Sequence, residues 1–142
     1  MNDSTVGPLK RTARKRVGKT AQKRYILVVD DEETVGVGMT EMLREAGYVA
    51  DYVTNGDDAV REITRRPYSL VFMDIVMPGM DGLEAFRRIK ELKGNVNVVL
   101  FTGLFREADK VIFEGIKEGM IDEFIRKPFF FEEILKTAEK YA

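Results

Sequence analysis

The 142-residue chain has room for one domain and little else, and its 44% hydrophobic and 33% charged content suits an ordinary globular protein. It contains neither Cys nor His, which excludes disulfides, thiolate or imidazole metal sites, a Ser-His triad and a phosphohistidine on this chain. No apolar run has the length of a membrane span and none near the start reads as a secretory signal, so a cytoplasmic location is expected.

The formal net charge of −1 hides an asymmetry. Residues 1–24 carry eight Lys and Arg against one Asp, a net +7, while residues 25–142 carry fifteen basic and twenty-three acidic residues, a net −8. The first segment holds few apolar groups and cannot bury enough surface to fold alone. Leu9, Ala13, Val17 and Ala21 recur every fourth residue beside a basic face. A helix laid on a membrane surface or on nucleic acid would use that pattern. The stripe lacks aromatics and has Gly18 beside it, so a flexible basic tail is the reading taken, followed by one domain over 25–142.

Tyr25–Val29 is an apolar run stopped by Asp30-Asp31-Glu32-Glu33, a buried strand that ends in acids. Over about 32–46, Val35, Met39, Met42, Leu43 and Ala46 stand at helical spacing, and Gly47 supplies the stop. Gly36 and Gly38 weaken the start of that helix. A strand is expected over 48–53. A short helix over 56–66 turns Ala59, Val60 and Ile63 inward and is closed by Pro67.

The run Tyr68–Asp74 is a third strand, apolar until it stops at a carboxylate, and the Pro- and Gly-punctuated residues after it must be loop. A helix over about 82–92 turns Leu83, Phe86, Ile89 and Leu92 to one side, with Asp81 as N-cap and Gly94 as stop. A strand over 96–101 ends at Thr102-Gly103. A helix over 106–117 buries Ala108, Val111, Ile112 and Ile116. Glu123-Phe124-Ile125 is the core of a fifth strand ending at Lys127-Pro128, and a last helix runs over 131–140. Five alternations of strand and helix predict an α/β fold, a parallel sheet with helices on both faces.

Asp30 and Asp31 follow the first strand, Asp74 ends the third, Thr102 follows the fourth and Lys127 the fifth. In an open parallel sheet, ligands bind outside those carboxyl ends, where the strand order reverses. Three carboxylates in one crevice repel each other, and a bound dication would relieve the repulsion. Magnesium suits an all-oxygen site and needs only one or two direct carboxylates. A carboxylate is also a nucleophile toward phosphorus, given in-line positioning and neutralised phosphoryl oxygens. Lys127 and the Thr102 hydroxyl are candidates for that neutralisation. Alone, the acid pair would be an ordinary helix start and Lys127 a surface residue.

These features together resemble the receiver domain of response regulators, the phosphoacceptor module of two-component signalling. The resemblance covers residues 25–142 through the pair Asp30-Asp31, the acceptor context MDIVMPGMDG, the Thr102-Gly103 pair and the Lys127-Pro128-Phe129 end. It implies a flavodoxin-like, doubly wound sheet of five parallel strands in the order 2-1-3-4-5 with five helices. By that resemblance Asp74 is the phosphorylated acid and Asp31 a direct Mg2+ ligand, with Asp30 acting through water. The Val76 backbone carbonyl completes the protein ligands, Lys127 pairs with the acceptor and then the phosphoryl group, and Thr102 and Phe124 are the switch pair. The family usually has Ala where Gly103 stands, and the segment before the fifth strand is one residue longer than usual.

The implied function is that of a single-domain regulator phosphorylated on Asp74 by a histidine kinase or histidine phosphotransfer protein. Its face made by the fourth predicted helix, fifth strand and fifth helix would meet a downstream target. It would catalyse only its own phosphoryl transfer and autodephosphorylation, and apolar Val76 and Leu104 beside the site predict that the latter is slow. Phe129-Phe130-Phe131 cannot all face one core, so Phe130, with Phe113, is expected in an exposed patch for a partner or a homodimer. The alternatives are a phosphorylation-independent interaction module, an Asp-nucleophile phosphatase and a flavin carrier. The phosphatase wants a second Asp two residues after its nucleophile, where Glu32 and Val76 stand, and the flavin carrier wants a phosphate-cradling first loop, not four acids.

Overall fold

The computed structural model describes residues 23–75, 82–102, 123–126 and 131–142, with Thr102, Glu123, Phe124 and Arg126 described by their backbone. The basic segment up to residue 22, the 76–81 loop with its expected N-cap Asp81, and the helix expected over 106–117 lie outside them. Five strands form one sheet: β1 (Tyr25–Val29), β2 (Val49–Val53), β3 (Tyr68–Asp74), β4 (Asn97–Thr102) and β5 (Glu123–Arg126). Their order is β2-β1-β3-β4-β5 and all four pairings are parallel. Within the described residues the helices are α1 (Glu33–Glu45), α2 (Gly56–Arg65), α3 (Gly82–Leu92) and α4 (Phe131–Tyr141).

Successive strand residues point to opposite faces, and among the described residues two helices pack on each face. Leu27, Val29, Val71, Met73, Val98 and Leu100 pack with Ala59 and Ile63 of α2 and with Leu83, Phe86 and Ile89 of α3. Ile26, Val28, Leu70, Phe72, Val99 and Phe101 pack on the other side with Met39 and Leu43 of α1 and with Ile134 and Ala138 of α4. That double covering is why β1, β3 and β4 read as unbroken apolar runs instead of alternating ones.

The helix ends follow local chemistry. Asn55 caps α2 by accepting the Asp58 N–H at 2.8 Å. Gly47, with φ 104°, ends α1: its N–H donates to the Arg44 carbonyl and the Tyr48 N–H to the Leu43 carbonyl. A side chain there would be strained, so the stop at Gly47 has a backbone cause. Leu92, expected on the buried side of α3, is instead 49% exposed. It is the last residue of the helix, and Val96, only 2% exposed, closes that end of the core after the chain has turned.

Candidate functional site: an acidic cluster at the carboxyl ends of the strands

The sheet register brings the acids together. Val29 pairs with Met73, so the residues that follow, Asp30 and Asp74, sit side by side at the ends of adjacent strands. Asp74 in turn pairs with Phe101, which places the backbone of Thr102 one step beyond it on β4. Asp30 is fully buried and Asp74 is 6% exposed, whereas Asp31 is exposed. Carboxylate oxygens from Asp30, Asp31 and Asp74 all lie within 4.8 Å of one another. Two charged groups this deeply buried demand compensation, because a carboxylate removed from water is costly unless it is paired or bonded.

Part of that compensation is visible in the backbone. The Asp30 Oδ1 accepts the Glu32 N–H at 2.8 Å, which folds the acidic loop back on itself. The Asp30 N–H donates to the Val53 carbonyl at 3.2 Å and so ties the loop to β2. Beyond Asp74, the Ile75 N–H donates to the Phe101 carbonyl at 3.1 Å, and the Gly82 N–H donates to the Ile75 carbonyl at 2.8 Å. The chain thus leaves the site at Ile75 and returns to it at Gly82.

Of the residues singled out from sequence, Asp30, Asp31 and Asp74 converge as expected. Thr102 and Phe124 are placed by their backbones, Thr102 opposite Arg126 and Phe124 opposite Leu100 on adjoining strands. Lys127, the Val76 carbonyl, Leu104, Phe113 and Phe130 lie outside the described residues. Phe131, the third of the three consecutive phenylalanines, is 63% exposed.

Two glycines beside the site stand where a side chain would meet neighbouring atoms. A Cβ on Gly82 would stand 2.6 Å from the Ile75 Cα and 2.8 Å from the Asp74 and Ile75 carbonyl oxygens. Only glycine lets α3 start this close to the strand end that bears Asp74. A Cβ on Gly36 would stand 2.8–3.1 Å from Cδ2, Cγ and Cβ of Tyr52, so the ring of Tyr52 lies directly on the α1 backbone. The Tyr52 hydroxyl donates to Glu33 Oε2 at 2.9 Å. Sequence pattern marks Gly82 only as a helix start after the Pro- and Gly-punctuated loop, and nothing in it points to either contact.

The acid cluster fits a hard divalent cation: its donors are all oxygen, one carboxylate is open to solvent, and two are held rigidly by the sheet. No helix among the described residues is long and apolar enough to cross a membrane.

Comparison with known proteins agrees with this geometry. The family model of the response regulator receiver domain matches residues 26–139. Sporulation initiation phosphotransferase F of Bacillus subtilis is 34% identical over 116 residues, which cover 82% of this chain and 91% of that protein. Transcriptional regulatory protein ResD of the same organism is 36% identical over 110 residues, 78% of this chain but 44% of ResD. The chain spans about half the length of the transcriptional regulators it matches. Among solved structures, the response regulator TrrA of Thermotoga maritima, in complex with Mg(2+)-BeF, superposes with a TM-score of 0.70 at 32% identity, covering 82% of this chain and 97% of that one. The chemotaxis protein CheY4 of Vibrio cholerae, 23% identical, shares the fold with a TM-score of 0.75 over 85% of this chain and all of its own. Residues 26–139 therefore belong to the receiver domain family of response regulators, the two-component signalling proteins in which phosphorylation falls on an aspartate.

Proposed function

We propose that this chain is a response regulator receiver in which Asp74 accepts a phosphoryl group from a phosphohistidine on a kinase or phosphotransfer partner. The observation that carries the reading is the convergence of Asp30, Asp31 and Asp74 within 4.8 Å, with Asp74 buried at a strand end. A carboxylate oxygen of Asp74 attacks phosphorus as the P–N bond to the donor imidazole breaks. The leaving imidazole takes a proton from solvent, and the O–P bond of an aspartyl phosphate remains.

Asp31, Asp74 and the Val76 carbonyl would hold Mg2+, with Asp30 acting through water. When bound, the ion offsets the negative charge of the carboxylates and of the phosphoryl oxygens. Lys127 and the Thr102 hydroxyl serve the remaining phosphoryl oxygens. The Asp30 Oδ1 accepts the Glu32 N–H, which fixes that carboxylate in place for its water-mediated role. Support comes from the two relatives named for this chemistry, a phosphotransferase and a regulator bound to Mg(2+)-BeF.

Phosphorylation then draws Thr102 toward the phosphoryl group, and Phe124 follows into the space that it leaves. The surface around β5 and α4 changes shape for a downstream partner, a population shift between two states of one domain. The chain catalyses no reaction beyond its own phosphorylation and dephosphorylation.

Incubation with acetyl phosphate and Mg2+, read by intact mass, tests the reading. One phosphoryl adduct is expected on the parent protein and none on Asp74→Ala or in excess chelator. An unmodified parent would overturn it in favour of a phosphorylation-independent interaction module.

A further inference from the structure

Asp31 is the exposed member of the acid cluster, so its placement depends on what holds the loop on either side. On one side is Asp30, whose N–H donates to the Val53 carbonyl at 3.2 Å and whose Oδ1 accepts the Glu32 N–H at 2.8 Å. On the other is the first turn of α1, where the Val35 and Gly36 N–H groups donate to the Glu32 carbonyl at 3.0 and 3.3 Å. That turn is clasped from outside by Tyr52. Its ring covers the Gly36 backbone so closely that no Cβ would fit, and its hydroxyl donates to Glu33 Oε2 at 2.9 Å. Tyr52 and Val53 are consecutive residues at the end of β2, in register with Val28 and Val29. Two neighbouring residues of the edge strand therefore hold the two flanks of Asp31.

The clasp also disposes of a charge. Glu33 is the last of four consecutive acids and stands two residues from Asp31. Its carboxylate accepts from the Tyr52 hydroxyl, and that hydrogen bond first and burial second raise the Tyr52 hydroxyl above its ordinary value. That bond favours a Glu33 carboxylate held at Tyr52 over one turned into the cluster as a fourth like charge or a competing ligand.

We propose that Tyr52 is a positioning residue for the cation site: stacked on Gly36 and bonded to Glu33, it sets the α1 turn that presents Asp31. The inference rests on the reading of the cluster as a Mg2+ site and adds a residue to it that touches neither ion nor phosphoryl group. Partners that orient ligands from outside the coordination shell tune affinity, and one acting through a helix turn belongs at the weak end of that range.

The test is Mg2+ titration by calorimetry on the full chain, with amide hydrogen exchange of residues 32–36 measured without the cation. Tyr52→Phe keeps the ring and loses the hydroxyl, and it is expected to weaken Mg2+ binding about tenfold and to speed exchange in the α1 turn. Gly36→Ala should weaken binding similarly by pushing the ring aside, although Ala suits a helix better than Gly. Glu33→Gln keeps an acceptor for the hydroxyl and should bind Mg2+ within about twofold of the parent. Parent-like affinity in both Tyr52→Phe and Gly36→Ala would overturn the role of Tyr52 while leaving the cation site standing. A parent that binds no Mg2+, or binds it as well after Asp31→Ala, would overturn the site reading and this inference with it.

Discussion

Replacing Gly82 by Ala inserts one methyl group between two rigid pieces of backbone, and its cost can be worked from distances. The added Cβ would lie 2.6 Å from the Ile75 Cα. Carbon atoms pack comfortably at about 3.5 Å or more, so the start of α3 and the end of β3 must part by about 0.9 Å. No flexible side chain can yield, because every close atom is main chain. The strand end is held as well, by the Ile75 N–H bond to Phe101 and by the pairing of Asp74 with β4. Overpacking of this kind costs about 1–3 kcal/mol, and the better helix propensity of Ala offsets less than about 1 kcal/mol of it. A net loss of about 2 kcal/mol should lower the melting temperature by about 8 °C in a domain of this size. The displacement falls on the residue that carries the proposed nucleophile, and a 1 Å misplacement costs about a hundredfold in rate. Gly38→Ala is the internal control: no atom lies within 4 Å of its Cβ, so only the propensity gain of up to about 1 kcal/mol remains. Thermal melts read by circular dichroism, together with the acetyl phosphate time course, decide the matter. A Gly82→Ala protein as stable as its parent, or a Gly38→Ala protein destabilised equally, would refute the reasoning from space.

Asp31→Asn should raise the melting temperature without divalent cation, by an amount equivalent to about 1 kcal/mol, because it removes like-charge repulsion from an exposed member of the cluster; the same change should abolish any stabilisation by Mg2+ in the same melt. At the opposite end of the sheet the Tyr68 hydroxyl lies 2.7 Å from both Asp51 Oδ2 and Glu62 Oε2, so Tyr68→Phe should cost about 1–3 kcal/mol in urea denaturation. Burial, and then hydrogen bonds to Asp51 and Glu62, push the Tyr68 hydroxyl well above the ordinary tyrosine value of 10.0. A raised folded-state value means that this stabilisation is complete below pH 10 and declines as pH rises above it, and Tyr68→Phe should flatten that alkaline decline. Hydrogen bonding from Arg65 holds the Glu62 carboxyl below its ordinary 4.5, so its contribution is present above that pH and is lost as acid protonates the folded form; Glu62→Gln should reduce the slope of stability against pH on the acid side.

The sheet and the acid cluster were legible because both depend on short-range pattern. An apolar run that stops at an acid marks where a buried strand meets solvent, and alternation of strand with helix makes the strands parallel. Parallel strands put all those acids at one edge, whatever else the chain does. The contacts that hold the edge in place were not legible in the same way. Gly36 looked like a weakness in a helix, because propensity concerns a helix alone and not the ring of Tyr52 resting on it. Gly82 looked like an ordinary loop exit, although the packing of Asp74 and Ile75 leaves no room for a side chain there. Nor does any periodicity announce that Arg66 will reach Asp51, fifteen residues earlier, or that Asp51 and Glu62 will share Tyr68. Those pairs exist only once register is set. Leu92 failed for a related reason: helical spacing says which side a residue faces, not whether the core still extends beneath it.

The two ends of the sheet show how one frame can be both stable and responsive. At the amino end, Asp51 is bonded to Arg66 at 2.6 Å and Glu62 to Arg65 at 2.8 Å, with the Tyr68 hydroxyl between the two carboxylates and Arg66 over the ring of Tyr25. Opposite charges there meet within the same few residues, so that end has little to gain from an added ion. At the carboxyl end three like charges are drawn within 4.8 Å by strand register. Their mutual repulsion opposes folding, and a ligand that offsets it binds the folded chain better than the unfolded one. Stabilisation then grows with the logarithm of ligand concentration over Kd. On the proposed reading the same linkage runs onward to phosphorylation: a group that changes the charge at Asp74 changes the relative energies of the folded states around it. A site whose charges were already balanced, as at Tyr68, would give a cation or a phosphoryl group far less leverage over the fold.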